Sequence, residues 1–201
     1  MDKRPIKFLI LVLLLLSVVA ILFALNPRVK TAQAPTYVPP IVKADPNREI
    51  AVESGDGKLI LKMKEEKGKE GMTYIFWVAD TSAGTQKELY RKTVPLGTTM
   101  AIPLNTFSPD NKYMFLQEVS GESLSYFAGS AAGIPFADGS QFLEFSSMFK
   151  AKYPNYKITE ATGWGGVGLI IVNTKSGGSQ GPSFWFDVGS KSFIQLSNHF
   201  N

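Results

Sequence analysis

The pattern of apolar and polar positions divides the chain into three parts. Residues 8–25 carry no charge, residues 26–47 are rich in proline, and residues 48–201 alternate short apolar runs with turn-forming residues. At about 1.5 Å per residue, a helix over 8–25 spans about 27 Å, close to the thickness of a bilayer's hydrocarbon core. We therefore predict an N-terminal membrane anchor over residues 1–25, a linker over 26–47 and an extracytoplasmic β domain over 48–201.

The apolar run also has the basic leader of a cleaved signal peptide, since Lys3, Arg4 and Lys7 precede it. Two features favour a retained signal-anchor. The run is longer than the apolar core of about 7–15 residues in a signal peptide, and the nearest small-x-small pattern, at 32–34, lies well past the run and is followed by Pro35. The excess of basic residues before the run favours a cytoplasmic N-terminus. We predict a single-pass protein of the cell membrane with its domain outside the cytoplasm.

The linker carries five of the 12 prolines in the chain. Proline fixes φ and biases the preceding residue towards extended geometry, so the segment is expected to be a semi-rigid spacer. An ordinary disordered linker is the alternative, and either one holds the domain away from the bilayer.

The domain is predicted to be mainly β. Candidate strands cover residues 49–53, 58–63, 72–80, 87–94, 100–107, 113–120, 156–162, 168–174, 183–188 and 192–197, with turn residues between them. Aromatic and β-branched residues make 72–80 the strongest of these strands. The first four strands predict an antiparallel meander, and the last four predict a four-stranded antiparallel unit. The strands build either a partial propeller or a sandwich.

One segment, 138–152, has the spacing of an amphipathic helix. Its apolar residues Phe142, Phe145, Met148 and Phe149 recur at helical intervals. Asp138 or Ser140 is the expected N-terminal cap, and Pro154 lies just beyond the end. We predict one short helix packed on a sheet.

The phrase FSPDNKYMFL at 107–116 resembles the repeated turn of WD40-like and TolB-like β-propellers. The later stretch over 168–197 is similar to the middle and outer strands of one propeller blade. The resemblance implies a partial propeller of two or three blades. It further implies that the Pro109–Asp110 turn links one blade to the innermost strand of the next, and that this strand lines the central channel.

Charge argues against a nucleic-acid partner. Six basic and two acidic residues lie in 1–47, whereas residues 48–201 hold fifteen of each sign. The net charge of +4 therefore belongs to the membrane end. Nucleic-acid binding needs Lys and Arg clustered on the folded domain, so we predict none.

Few kinds of chemistry are compatible with the composition. The chain has no cysteine, and its single histidine, His199, is the third residue from the end of the sequence. Disulfides, thiolate sites and histidine-based triads are therefore not expected. The pattern GWGGVG at 163–168 precedes a strand rather than a helix, so it does not predict a dinucleotide site. We predict no cofactor and no metal ion.

Aromatic residues near glycine turns are the remaining candidates for a binding surface. They are Trp77, Tyr126, Trp164 and Trp185. Most are expected in the core, and one or two exposed aromatic residues suit a protein or glycan partner. The leading hypothesis is a non-enzymatic binding module of a bacterial envelope. The alternatives are a carboxylate-dependent glycan hydrolase and a structural subunit that forms a ring with copies of itself.

Overall fold

The computed structural model describes residues 49–197 and 199–200, so the predicted anchor over 8–25 and the linker over 26–47 lie outside the described residues. In the described part of the chain, no helix has the length and apolar character needed to cross a membrane. The strands are β1 (Ile50–Glu53), β2 (Leu59–Lys67), β3 (Met72–Asp80), β4 (Thr85–Val94), β5 (Thr98–Ala101), β6 (Tyr113–Ser120), β7 (Ser123–Ser130), β8 (Phe142–Glu144), β9 (Lys157–Trp164), β10 (Leu169–Ser176), β11 (Ser179–Gln180), β12 (Phe184–Asp187) and β13 (Ser192–Gln195); a helix, α1 (Phe145–Lys152), follows β8 directly.

The strands form three antiparallel meanders in chain order. Sheet I has the order β1-β2-β3-β4 and sheet II the order β5-β6-β7-β8. In sheet III, β10 pairs with β9 on one side and with β11 and β12 on the other, and β13 follows β12. The predicted mainly β, antiparallel domain with one short helix is confirmed.

The three sheets are structural repeats of one another. In each sheet, the first residue of the second strand pairs with the last residue of the third strand. These pairs are Leu59 with Asp80 in sheet I, Tyr113 with Ser130 in sheet II and Leu169 with Asp187 in sheet III. In each sheet, a side-chain oxygen at the end of the third strand accepts backbone N–H groups of the next turn; these residues are Asp80, Ser130 and Asp187. The same register in all three sheets defines equivalent positions throughout.

The turns before the second strands of sheets I and II share their hydrogen bonds as well. Ser54 Oγ donates to Asp56 Oδ1 over 2.8 Å, and Ser108 Oγ donates to Asp110 Oδ1 over 2.8 Å. Each serine Oγ also accepts, over 3.0 Å, the backbone N–H of the residue five positions later. Asn111 has a φ of 58°, so it holds the left-handed position that glycine commonly occupies.

Sheet II lies between the other two sheets and is buried on both faces. Met114, Leu116 and Phe127 join the core cluster shared with sheet I. Phe115, Tyr126 and Ala128, which alternate with them along β6 and β7, join the cluster shared with sheet III and α1. The core therefore consists of two layers, one in each junction between successive sheets.

The structure corrects two details of the sequence interpretation. The helix covers only Phe145–Lys152, because residues 142–144 pair with β7 as strand β8, and Glu144 holds the N-cap position without a capping hydrogen bond from its side chain. Asp138 instead closes a turn by accepting the N–H of Ser140. The 108–112 turn does not link two sheets; it lies within sheet II, between the bridge of Phe107 to Met114 and the start of β6.

Candidate interaction surfaces

Each sheet has two faces, which we call forward and rear and define by equivalent residues in the three sheets. The forward face is the one that carries Leu61 and Val78 in sheet I, Phe115 and Ala128 in sheet II, and Ile171 and Trp185 in sheet III. The rear face carries Ile60 and Trp77, Met114 and Phe127, and Ile170 and Phe184 at the corresponding positions. Forward faces of sheets I and II pack on the rear faces of sheets II and III.

The forward face of sheet III carries apolar side chains and has no following sheet in the described part of the chain. Ile171 pairs with Trp185, and Trp185 pairs with Ile194, so the three side chains form a row across β10, β12 and β13. Ile194 is 46% exposed, whereas its sheet II equivalent, Leu143, is 8% exposed. At the first two positions of the row, sheets I and II have buried residues, whereas Ile171 and Trp185 are half-buried. At the third position, Leu143 of sheet II is buried, but Lys87 of sheet I is exposed, as Ile194 is.

The position of Trp185 is set by the backbone of the turn before β10. A Cβ placed on Gly165 would lie 2.7 Å from Trp185 Nε1, so the indole lies directly against that turn. The indole N–H is buried and has no hydrogen-bond partner among the described residues. An unpaired buried donor costs about 1–3 kcal/mol.

The other end of the forward face of sheet III is covered by residues 199–200. Ser183 Oγ donates to Asn173 Oδ1 over 2.5 Å and accepts the N–H of Phe200 over 2.7 Å, while Asn173 Nδ2 donates to the Phe200 carbonyl over 3.0 Å. The His199 ring binds the Gly181 carbonyl through Nδ1 over 2.9 Å. The single histidine is thus engaged in holding this segment on the sheet.

The rear face of sheet I differs in character, because charged side chains flank its apolar positions. Ile60 and Trp77 are half-buried there. Their charged neighbours are neutralised in ion pairs, which join Lys62 to Glu49, Lys64 to Glu66, and Arg91 to Glu88. This face therefore combines apolar side chains with paired charges, one of which, Lys62, lies directly beside Trp77.

Of the four aromatic residues selected from the sequence, two lie on these faces: Trp185 on the forward face of sheet III and Trp77 on the rear face of sheet I. Tyr126 is 1% exposed in the core, where its hydroxyl accepts a hydrogen bond from Gln117 and where burial raises its pKa to about 12. Trp164 packs edge-on against Phe115 between sheets II and III and donates its indole N–H to the carbonyl of Asn105.

The carboxylates at the repeated turns are held in the ionised form. A hydrogen bond from Asn111, over 2.7 Å, is the main cause that lowers the pKa of Asp56. Burial alone raises the pKa of Asp110, but hydrogen bonds from Ser108 and Lys112 outweigh it and lower the pKa. A glycoside hydrolase needs one carboxylic acid with a raised pKa, so neither group suits that role.

No three His, Cys, Asp or Glu side chains within residues 49–197 and 199–200 come together as a metal site. An open groove of about 500 Å³ lies between β4 and the segment around Gly133 and Gln141. Its charged groups are already engaged: Lys87 donates to the carbonyls of Ala132 and Gly133, and Arg91 binds Glu88. The groove therefore offers no free charge to a ligand.

Neither a protein-family model nor a curated protein matches the chain. Among solved structures, the chain is similar to prolyl oligopeptidase B from Galerina marginata, solved with a macrocyclization substrate, at 12% identity and a TM-score of 0.43 over 72% of this chain and 20% of that one. It is also similar to a putative dipeptidyl aminopeptidase IV from Bacteroides ovatus, at 12% identity and a TM-score of 0.32 over 71% of this chain and 32% of that one. The chain thus spans less than a third of either structure, and similarity at this level identifies neither its family nor its activity.

Proposed function

We propose that this chain is a membrane-anchored interaction module of a bacterial cell envelope, with a partial propeller-like domain displayed outside the cytoplasm on a proline-rich spacer. The observation that carries the proposal is the forward face of sheet III. Its Ile171 and Trp185 are half-buried at positions that sheets I and II bury against a following sheet, and Ile194 beside them is exposed.

Energetics favour occupation of this row by a partner. Full burial of an Ile side chain stabilises by about 1.5–3 kcal/mol, and Trp is among the residues that contribute most at protein interfaces. A partner that moves the Trp185 ring or supplies an acceptor for its indole N–H gains a further hydrogen bond. These terms favour a contact at the row.

The chemistry of the row favours a protein partner over a glycan. Sugar binding sites combine an apolar platform with a few placed polar groups. Here two polar side chains on the same face, Asn173 and Ser183, are already joined to each other and to Phe200. Asp187, Ser192 and Glu160 also lie on this face, but the row itself is apolar, which suits an apolar protein surface.

The carboxylate chemistry supports a binding role rather than a hydrolase. Asp56, Asp110 and Asp138 all have a lowered pKa, because each accepts hydrogen bonds from polar or basic neighbours. Each also closes a turn by accepting a backbone N–H two residues later. The carboxylates of these three residues therefore serve to stabilise turns.

The test is capture of envelope proteins by the full chain, purified in detergent and immobilised through its N-terminus. The wild-type chain, Ile194→Glu and the control Ile134→Glu are compared by mass spectrometry of what each retains. Ile134 is 66% exposed and lies outside the row. Retention of a defined protein by the wild type and by the control, with loss in Ile194→Glu, supports the proposal. Equal retention by all three chains, or binding only of purified cell-wall glycan, contradicts it.

A further inference from the structure

We infer that the forward face of sheet III docks on the rear face of sheet I in a second copy of this chain, so that two copies close a ring of six sheets. The inference rests on the proposed function and names its partner. It follows from the repetition of one kind of junction along the chain.

The junction between successive sheets occurs twice within the described residues. In the first, Leu61 and Val78 on the forward face of sheet I share a core with Met114 and Phe127 on the rear face of sheet II. In the second, the equivalent residues Phe115 and Ala128 share a core with Ile170 and Phe184 of sheet III. Both junctions therefore join a forward face to a rear face at the same register positions.

The two outer faces of the stack are the two halves of this same junction. Ile171 and Trp185 hold the forward-face positions of Leu61 and Val78. Ile60 and Trp77 hold the rear-face positions of Met114 and Phe127. A second copy offers a rear face of sheet I to this forward face, and its own forward face of sheet III to the first copy.

Charges at the junction are compatible with such docking. Between sheets I and II, Lys92 forms an ion pair with Glu118 over 2.5 Å and places its ammonium 4.1 Å from the ring centre of Phe127. The existing junction therefore already contains a charged pair beside its apolar centre. The rear face of sheet I differs at one central position, where Lys62 lies beside Trp77 in place of Leu116 of sheet II and Val172 of sheet III. Lys62 is paired with Glu49, as Lys92 is paired with Glu118 in the existing junction.

The usual number of sheets in a propeller favours a ring of two copies. Propellers typically contain about 4–8 sheets around their axis. Two copies of the three described sheets give six, whereas one copy gives three and three copies give nine. In a two-fold ring the same heterologous contact forms twice and leaves no open end.

The first experiment measures the protein mass of the full chain in detergent by light scattering with detergent subtraction. We expect twice the chain mass of 22.0 kDa for the wild type and for the control Ile134→Glu. Ile171→Glu is expected to give a single-chain mass, because it places a charge at the centre of the docked face. The anchor is identical in all three chains, so a difference between them belongs to the domain.

The second experiment cross-links cysteines, which the natural chain lacks. Between sheets I and II, Lys87 binds the carbonyl of Ala132. Ile194 is the sheet III equivalent of Lys87, and Ser82 is the sheet I equivalent of Ala132. The double variant Ile194→Cys with Ser82→Cys is therefore expected to form a cross-linked dimer with a short bismaleimide, and each single variant is expected to remain a monomer on a denaturing gel.

These outcomes separate the inference from the function on which it rests. A dimer that Ile171→Glu dissociates and that only the double cysteine variant cross-links supports the inference. A wild-type monomer, a trimer or larger assembly, or a dimer unaffected by Ile171→Glu overturns it. If the tryptophan emission of Ile171→Glu shows that this variant is unfolded, the cross-linking result of the double cysteine variant alone tests the inference. A monomer that still captures one envelope protein through Ile194 overturns the second copy and leaves the interaction module standing.

Discussion

The hairpin between β2 and β3 ends at Gly71, where the backbone of β4 passes too close for a side chain. A Cβ on Gly71 would lie 2.1 Å from the carbonyl oxygen of Val94. Since the next residue, Met72, pairs with Val94, the strands cannot admit a methyl group and keep their separation. We expect Gly71→Ala to lower the free energy of unfolding by about 1–3 kcal/mol, the usual cost of overpacking. For a domain of this size, each kcal/mol lowers the melting temperature by about 2–4 °C.

Gly55 provides a matched control for this substitution. A Cβ on Gly55 meets no atom within 4 Å, and its φ is not positive. Gly55→Ala is expected to stabilise by about 0.4–1 kcal/mol, because it removes conformational freedom from the unfolded chain. Thermal unfolding of the full chain, followed by tryptophan fluorescence, compares the two variants. The reasoning is refuted if Gly71→Ala melts with the wild type or if both variants shift in the same direction.

Three further substitutions test the core and the charges. Phe186→Ala is expected to cost about 3–5 kcal/mol in the same melts because it empties a fully buried site, and a loss no greater than that of Ile134→Ala contradicts this packing. Lys191 holds the pKa of Asp138 below its ordinary value, so the ion pair stabilises the fold above about pH 4, and this stabilisation is lost as the pH falls further. Asp138→Asn is expected to make the melting temperature depend less on pH below about pH 4. The same pH dependence in the variant and the wild type would contradict the ion pair. Burial raises the pKa of Tyr126 to about 12, so the protonated hydroxyl contributes fully to stability below about pH 10, and this contribution is lost as the pH rises through the folded pKa. Tyr126→Phe is expected to make the melting temperature fall less steeply with pH above about pH 10. An identical fall in the variant and the wild type refutes the raised pKa of Tyr126.

The parts of the fold that could be predicted are those in which local preference and tertiary packing agree. The strands 72–80 and 113–120 are confirmed at both ends, because aromatic and β-branched residues also fill the core there. Strand β7, Ser123–Ser130, was not predicted. Its sequence SLSYFAGS is rich in small residues with weak strand preference, and it forms because both of its faces are covered by other sheets.

The start of the helix shows the opposite case. Phe142 has helical spacing from Phe145, yet residues 142–144 extend sheet II. Phe142 packs against Tyr90 of sheet I at 4.5 Å between ring centres. This long-range contact, together with pairing to β7, outweighs a local period of one turn. Periodicity in a single segment cannot report which distant ring a side chain will meet.

The candidate site illustrates the same limit more sharply. Leu61 and Ile171 are both aliphatic residues at the same position of a repeated strand, yet Leu61 is fully buried and Ile171 is not. The difference is whether another sheet follows in the stack, and no local property of either residue records it. The repeat is also hard to recognise from the sequence of sheet III, because the Ser-x-Asp turn of sheets I and II is replaced there by the glycine-rich turn around Gly165. Only the shared backbone register makes the third sheet recognisable as a repeat, and that register identifies the half-buried Ile171 and Trp185 as the equivalents of residues that form a junction in sheets I and II.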